Sequence, residues 1–178
     1  QRMRDVVNKN ITDEDIETTA ERVFSRGWKR MKLYFMIGLP TEEDADVRGI
    51  IETASKIRRV GLDHKVRHVE VTASASSHVP KPHTPFQWAA MDSMEEISRK
   101  QVILREFGKK RSIDVKLHDA RISYLEGIVA RGDRRVADLI EAAWKNGCRF
   151  DGWGEHLNFD AWIKAIEEVG LEPERYLG

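Results

Sequence analysis

Apolar residues along this chain keep two periods, and the changes from one to the other mark its elements. Ile16, Ala20, Val23 and Phe24 recur at helical spacing. Thr12 and Asp15 stand ahead of them in capping-box order, the hydroxyl accepting a free amide and the acid reaching back. Gly27 supplies a C-terminal stop. Residues 31–37 are then almost continuously apolar, which suits a parallel strand buried on both faces, and Gly38-Leu39-Pro40 ends it. Thr41 and Asp44 read as a second cap. Val47, Ile50, Ile51, Ala54 and Ile57 form one stripe, and Gly61 reads as the stop. Val69, Val71, Ala73 and Ala75 alternate as in a strand. The pattern predicts parallel strands near 31–39 and 66–75, joined by a right-handed crossover through a helix near 42–60.

A loop rich in Pro and His follows at 76–88. Ser93 and Glu96 cap another helix, carrying Ile97, Leu104 and Phe107, and Ile113, Val115 and Leu117 alternate in a short strand. After Asp119 the apolar period stays helical, through Ile122, Leu125 and Val129, then Val136, Leu139, Ile140 and Ala143, then Trp162, Ile166 and Val169. Gly132, Gly147 and Gly170 end these segments, which read as a small helical appendage packed by Trp144, Trp153 and Trp162.

The 178 residues fit one domain, or one domain with an appendage, and 40% hydrophobic with 34% charged residues is the balance of a soluble globular protein. Thirty basic side chains against thirty acidic ones give zero formal charge, so the overall charge makes no case for nucleic acid or an anionic membrane as partner. No apolar run approaches a membrane span, and the N-terminus has no apolar signal-peptide core. The chain opens without Met, inside what looks like a polar helix, which reads as a start within a longer protein. Cys148 is the single cysteine; it excludes an internal disulfide framework and a multi-thiolate metal site, and a cytoplasmic location is the default.

In parallel α/β sheets, ligands sit where strand carboxyl ends run into helices. Two loops qualify. At 38–41, Gly38 permits close backbone approach, and the following helix start offers free amides. At 74–85, three prolines stiffen a loop carrying Lys81 and His83. Plainer readings stand beside these: Gly-Leu-Pro as a strand stop, the Pro-rich loop as a rigid connection. His64, His68 and His156 read as solvated or packing residues, and His118-Asp119 as a hydrogen-bonded turn rather than a metal pair.

Met31-Lys32-Leu33-Tyr34-Phe35-Met36-Ile37-Gly38-Leu39-Pro40-Thr41-Glu42 resembles the fifth-strand motif of radical S-adenosylmethionine (radical SAM) enzymes, especially those with an upstream cobalamin-binding-like domain. Val79-Pro80-Lys81-Pro82-His83-Thr84-Pro85-Phe86-Gln87-Trp88 is similar to the loop after their sixth strand, and Arg4-Asp5-Val6-Val7-Asn8-Lys9 to the segment after their fourth. Leu125-Glu126-Gly127, Ala130-Arg131-Gly132-Asp133-Arg134-Arg135, Phe150-Asp151-Gly152-Trp153 and Glu155-His156 resemble the tail of one largely uncharacterised subgroup. The resemblance implies an α/β fold, with 1–118 the C-terminal part of a partial (βα)6 TIM-like barrel and 119–178 a helical extension. In that family a Cys-x3-Cys-x2-Cys loop holds a 4Fe-4S iron–sulfur cluster. S-adenosylmethionine bound to it is cleaved reductively to a 5′-deoxyadenosyl radical, and the cofactor carries the chemistry. The cluster motif and the first four strands are absent from this sequence, so the resemblance implies that the piece is inactive alone. By position in the motif, Phe35, Ile37, Gly38 and Leu39 flank the adenine and Lys81 and His83 face the substrate. Lys9 pairs with the methionyl carboxylate, or is a solvated helix-end lysine. The resemblance leaves the substrate unnamed and cobalamin use open. The alternative is a non-enzymatic interaction or scaffold module. Either way, an apolar sheet edge left by missing strands is a template for dimer formation.

Overall fold

The computed structural model describes residues 1–178. In chain order the elements are α1 (Arg2–Val6), α2 (Asp13–Phe24), β1 (Arg30–Ile37), α3 (Asp44–Asp63), β2 (Glu70–Ser77), α4 (Met94–Arg111), β3 (Asp114–Leu117), α5 (Ala120–Arg131), α6 (Arg135–Lys145), α7 (Phe159–Glu168) and α8 (Glu174–Leu177). The strands make one parallel three-stranded sheet in the order β1-β2-β3. The β2–β3 register sets Thr72 against Asp114 and Ala75 against Leu117. Each strand is thus followed by a helix before the next strand, the arrangement that the alternation of periods predicts.

Two compact units share the chain, Gln1–Ser76 with Ile97–Leu117, and Ser77–Glu96 with His118–Gly178. In the first, Ala20 and Phe24 of α2 meet Val47, Ile51 and Ile57 of α3, Val71 and Ala73 of β2 and Leu104 of α4. Burying each large side chain of this set stabilises by about 1.5–3 kcal/mol. The Thr12–Asp15 capping box forms as its spacing demands, with Asp15 N–H donating to Thr12 Oγ1 at 3.1 Å and Thr12 N–H to Asp15 at 2.8 Å. In the second unit, Ile128, Leu139, Ala143, Ile166 and Tyr176 form a separate core. There α6 packs on α7 and α5 on α8.

Several local expectations are corrected. β1 is buried on one face only: Tyr34 is 74% and Met36 40% exposed. The cap of α3 is Glu43 with Asp46, not Thr41 with Asp44; Thr41 instead takes a left-handed φ of 66° inside the turn. Gly61 does not end α3, which runs on to Asp63. A Cβ at Gly61 would stand 2.8 Å from Val69 Cγ1 and 3.2 Å from Phe24 Cδ1, so this glycine serves close packing. Of the three tail tryptophans only Trp162 packs against the helical core, while Trp144 and Trp153 are 56% and 65% exposed.

Candidate functional site

The strongest local construction lies where β1 turns into α3. Gly38 adopts φ 81°, the left-handed region that a residue without Cβ enters freely. Its N–H donates to Glu42 Oε1 at 2.8 Å, and Lys100 Nζ of α4 approaches the same oxygen at 2.8 Å. The Lys100 and Glu42 side chains keep 6% and 2% of their exposure. A buried charge persists only when paired and hydrogen-bonded, so this pair braces the turn from within.

The neighbouring carboxylates are braced from outside. Asp44 takes both guanidinium nitrogens of Arg99 at 2.9 and 2.6 Å. Asp46 pairs with Arg2, which also donates to the Thr41 carbonyl at 2.7 Å. The Arg2 hydrogen bond holds the Asp46 carboxyl below the usual carboxylate range, and Arg99 does the same to Asp44. The start of α3 therefore offers no vacant anion cradle. Its dipole already faces Asp44 and Asp46, and Asp46 accepts the Glu43 N–H at 2.8 Å.

Side chains alternate along a strand, and this decides what β1 presents to a ligand. Met31, Leu33, Phe35 and Ile37 face the helical core, Ile37 with no exposure at all. Lys32, Tyr34 and Met36 occupy the other, open face, where Lys32 Nζ lies 4.8 Å from the Tyr34 ring centroid. Thr72, Ser74 and Ser76 continue that face on β2. Asp114 continues it on β3 and accepts from Thr72 Oγ1 at 3.0 Å. The result is an apolar, aromatic end beside a row of hydroxyls.

Of the residues singled out in the sequence, Ile37, Gly38 and Leu39 are buried and Phe35 packs on the core, with Gly38 and Leu39 both inside the turn. Lys9 is exposed and its side chain has no partner; Arg2 is the basic residue of this segment that is tied to the turn. In the other unit, Lys81 is ion-paired with Glu126 of α5. His83 has φ 62°, and its N–H donates to Gln87 Oε1 at 3.1 Å. Thr84 Oγ1 donates to the Lys81 carbonyl at 2.7 Å, so this loop is held by its own bonds as well as its prolines. His78 meets Phe86 edge-on, with ring centroids 5.8 Å apart. Its Nε2 is buried without a partner, and burial lowers its pKa, opposed by the charge of Asp92. His118 and Asp119 form the hydrogen-bonded turn: Asp119 caps α5 by accepting from Arg121 N–H at 2.9 Å, and His118 Nδ1 lies 3.2 Å from Ser123 Oγ. Cys148 is buried, and burial raises its thiol pKa. No three His, Cys, Asp or Glu side chains converge as a metal site.

The sequence reading missed Glu42, Lys100, Tyr34, Met36 and Arg2. Lys32, alone in breaking the apolar run, was the one weak signal for the face that Tyr34 and Met36 share. None existed for Lys100, which meets Glu42 only through the fold.

No protein-family model matches the chain, and no solved structure matches it significantly. It is similar to the Uncharacterized protein MJ0966 of Methanocaldococcus jannaschii, at 29% identity over 172 residues, 96% of this chain and 36% of that protein. The chain thus spans about a third of the length of this relative. No helix is long and apolar enough to cross a membrane.

Proposed function

We propose that this chain is the C-terminal part of a radical S-adenosylmethionine iron–sulfur enzyme, comprising the last strands of its partial barrel and a helical extension. One observation carries the reading. Within the stretch that resembles the family's fifth-strand motif, Gly38 is left-handed and Glu42 is buried as its brace, at the carboxyl end of a parallel strand. A strand stop alone does not need a buried Lys–Glu pair. The archaeal relative extends far beyond the matched segment, which leaves room in that protein for a cluster-binding part.

The residues present do not fit an iron–sulfur cluster, because Cys148 is alone and buried. In this reading the cluster ligands belong to the rest of a longer protein, and no step through the cluster is assigned to this chain. S-adenosylmethionine, when bound to such a cluster, supplies the radical. This chain's share is placement. Tyr34 and Met36, exposed on the open face beside Gly38, replace Phe35 and Ile37 as the apolar contacts for a flat ring, and Ser74 and Ser76 offer hydroxyls to its edge.

The test uses the full-length protein that contains this segment, reconstituted anaerobically. Met36→Lys should weaken S-adenosylmethionine binding at least about tenfold with an unchanged circular dichroism spectrum, while Val102→Lys, at an exposed position of α4, leaves it alone. Normal binding by Met36→Lys removes this face from the cofactor site. A full-length protein without a Cys-x3-Cys-x2-Cys motif ends the enzyme reading altogether. The interaction-module alternative draws on the 76% exposed Phe150 and 65% exposed Trp153, and would then take its place.

A further inference from the structure

The opposite end of the sheet carries a different chemistry. The segment entering β1 reads Arg26-Gly27-Trp28-Lys29-Arg30, and the one ahead of β2 reads His64-Lys65-Val66-Arg67-His68, with no carboxylate in either. A backbone bond from Glu70 N–H to the Lys29 carbonyl, at 2.8 Å, sets the two segments side by side. Between them lies an open depression of about 580 Å³, lined by Arg26, Trp28, Lys29, Arg30, His68 and the carboxylate Glu70. Trp28 is 65% exposed, so its ring face is open to a ligand. Among these Lys and Arg side chains only Arg30 is ion-paired, to Glu70, and that pair is largely exposed.

We propose that this rim binds single-stranded nucleic acid, a base stacking on Trp28 while Arg26, Lys29 and Arg67 meet the phosphates. The zero net charge of the chain does not oppose this. Glu70 lines the depression and pairs with Arg30, and Glu21 pairs with His64, but Arg26, Lys29, Lys65 and Arg67 carry no ion pair, and a local positive excess is what a polyanion reads. An acidic peptide would satisfy the cations and leave the indole idle. Nucleic acid uses both, because every base has a π-face and every linkage a phosphate. The site sits at the amino ends of the strands, away from the turn at 38–42, and does not depend on the cofactor reading.

The test is fluorescence anisotropy of the longer protein that contains this segment, and of the 178 residues alone, with a labelled oligouridylate about ten nucleotides long. Saturable binding at low salt is expected. Engagement of three phosphates, one per cation, gives a log–log salt slope of about −2. Trp28→Ala should weaken binding about tenfold through lost stacking, and Arg26→Glu with Lys29→Glu should weaken it further and flatten the slope. All three side chains are exposed, and thermal melts check that the variants fold. An oligodeoxynucleotide of equal length that binds as well still supports the proposal, with the ribose unread. Absence of binding at low salt overturns it. So does Trp28→Ala binding as tightly as the parent, or polyglutamate competing as well as the oligonucleotide, which would assign the rim to an acidic protein.

Discussion

Replacing Lys100 by Met is the sharpest test of how the turn at 38–42 is held. The methionine keeps most of the stem's volume and removes the ammonium. Glu42, whose side chain is 2% exposed, loses the ammonium beside it and keeps the hydrogen bond from the Gly38 N–H. Breaking a buried pair from one side costs about 3–5 kcal/mol, because the remaining charge has lost its counter-ion without regaining water. For a chain of 178 residues that lowers Tm by roughly 6–20 °C, at about 2–4 °C per kcal/mol. It also consumes a large part of a typical stability of about 5–15 kcal/mol. Glu42→Gln, which keeps an oxygen for Gly38 but removes the carboxylate facing Lys100, should also destabilise. The double variant should lose less than the sum of the two single changes, since neither half of the Lys100–Glu42 pair is left facing the other's absence. Urea melts of the four proteins give the coupling energy as the departure from additivity, and an unchanged slope against urea shows that the unfolded state is the same. A loss under about 1 kcal/mol for Lys100→Met, or single effects that simply add in the double variant, would refute the brace.

Three further outcomes follow from single positions. Gly61→Ala gains helix propensity of about 1 kcal/mol, but its Cβ would stand 2.8 Å from Val69 Cγ1; overpacking of about 1–3 kcal/mol should win, and a raised Tm would show that Val69 yields. Gly38→Val forces a β-branched residue to φ 81°, a strain of about 1–3 kcal/mol that urea melts should register, while Gly49→Ala, which meets nothing within 4 Å, should not destabilise. His78 has its pKa lowered by burial, so the unfolded chain binds its proton first. Stability should fall as pH drops through about 6.5 toward the lower folded-state pKa, and be unaffected by this group above it. His78→Phe removes the buried unpartnered nitrogen and should flatten that acid slope; an identical slope in both proteins would assign it to other groups.

Elements were more legible in this sequence than faces. The stripe from Val47 to Ile57 and the alternation from Val69 to Ala75 reported a crossover helix and the strand after it, because burial imposes those periods directly on residue type. The caps at Thr12 and Ser93 were legible for the same reason, their spacing being the bond itself. Gly61 misled because glycine has two uses, terminating a helix and admitting a neighbour, and only the position of Val69 distinguishes them. The tail tryptophans misled because a large apolar residue is usually packed, whereas Trp144 and Trp153 face solvent.

The open sheet face turns on a single question of parity. A run such as Met31-Lys32-Leu33-Tyr34-Phe35-Met36-Ile37 is apolar at nearly every position, so composition reads it as buried on both sides. Only Lys32 breaks the run, and a lone lysine is weak evidence because its stem snorkels. Once Ile37 is fixed in the core, the period of two leaves no freedom: Phe35 must join it, and Met36 and Tyr34 must face away. The consequence reaches function. A ligand lying against β1 from the open side meets Met36 and Tyr34 and cannot touch Ile37 unless the core opens. Substitution at Ile37 should therefore act through stability, and substitution at Met36 through binding. That opposition separates a site on this face from a strand that is merely structural, because in the structural case both positions would act only on the melt.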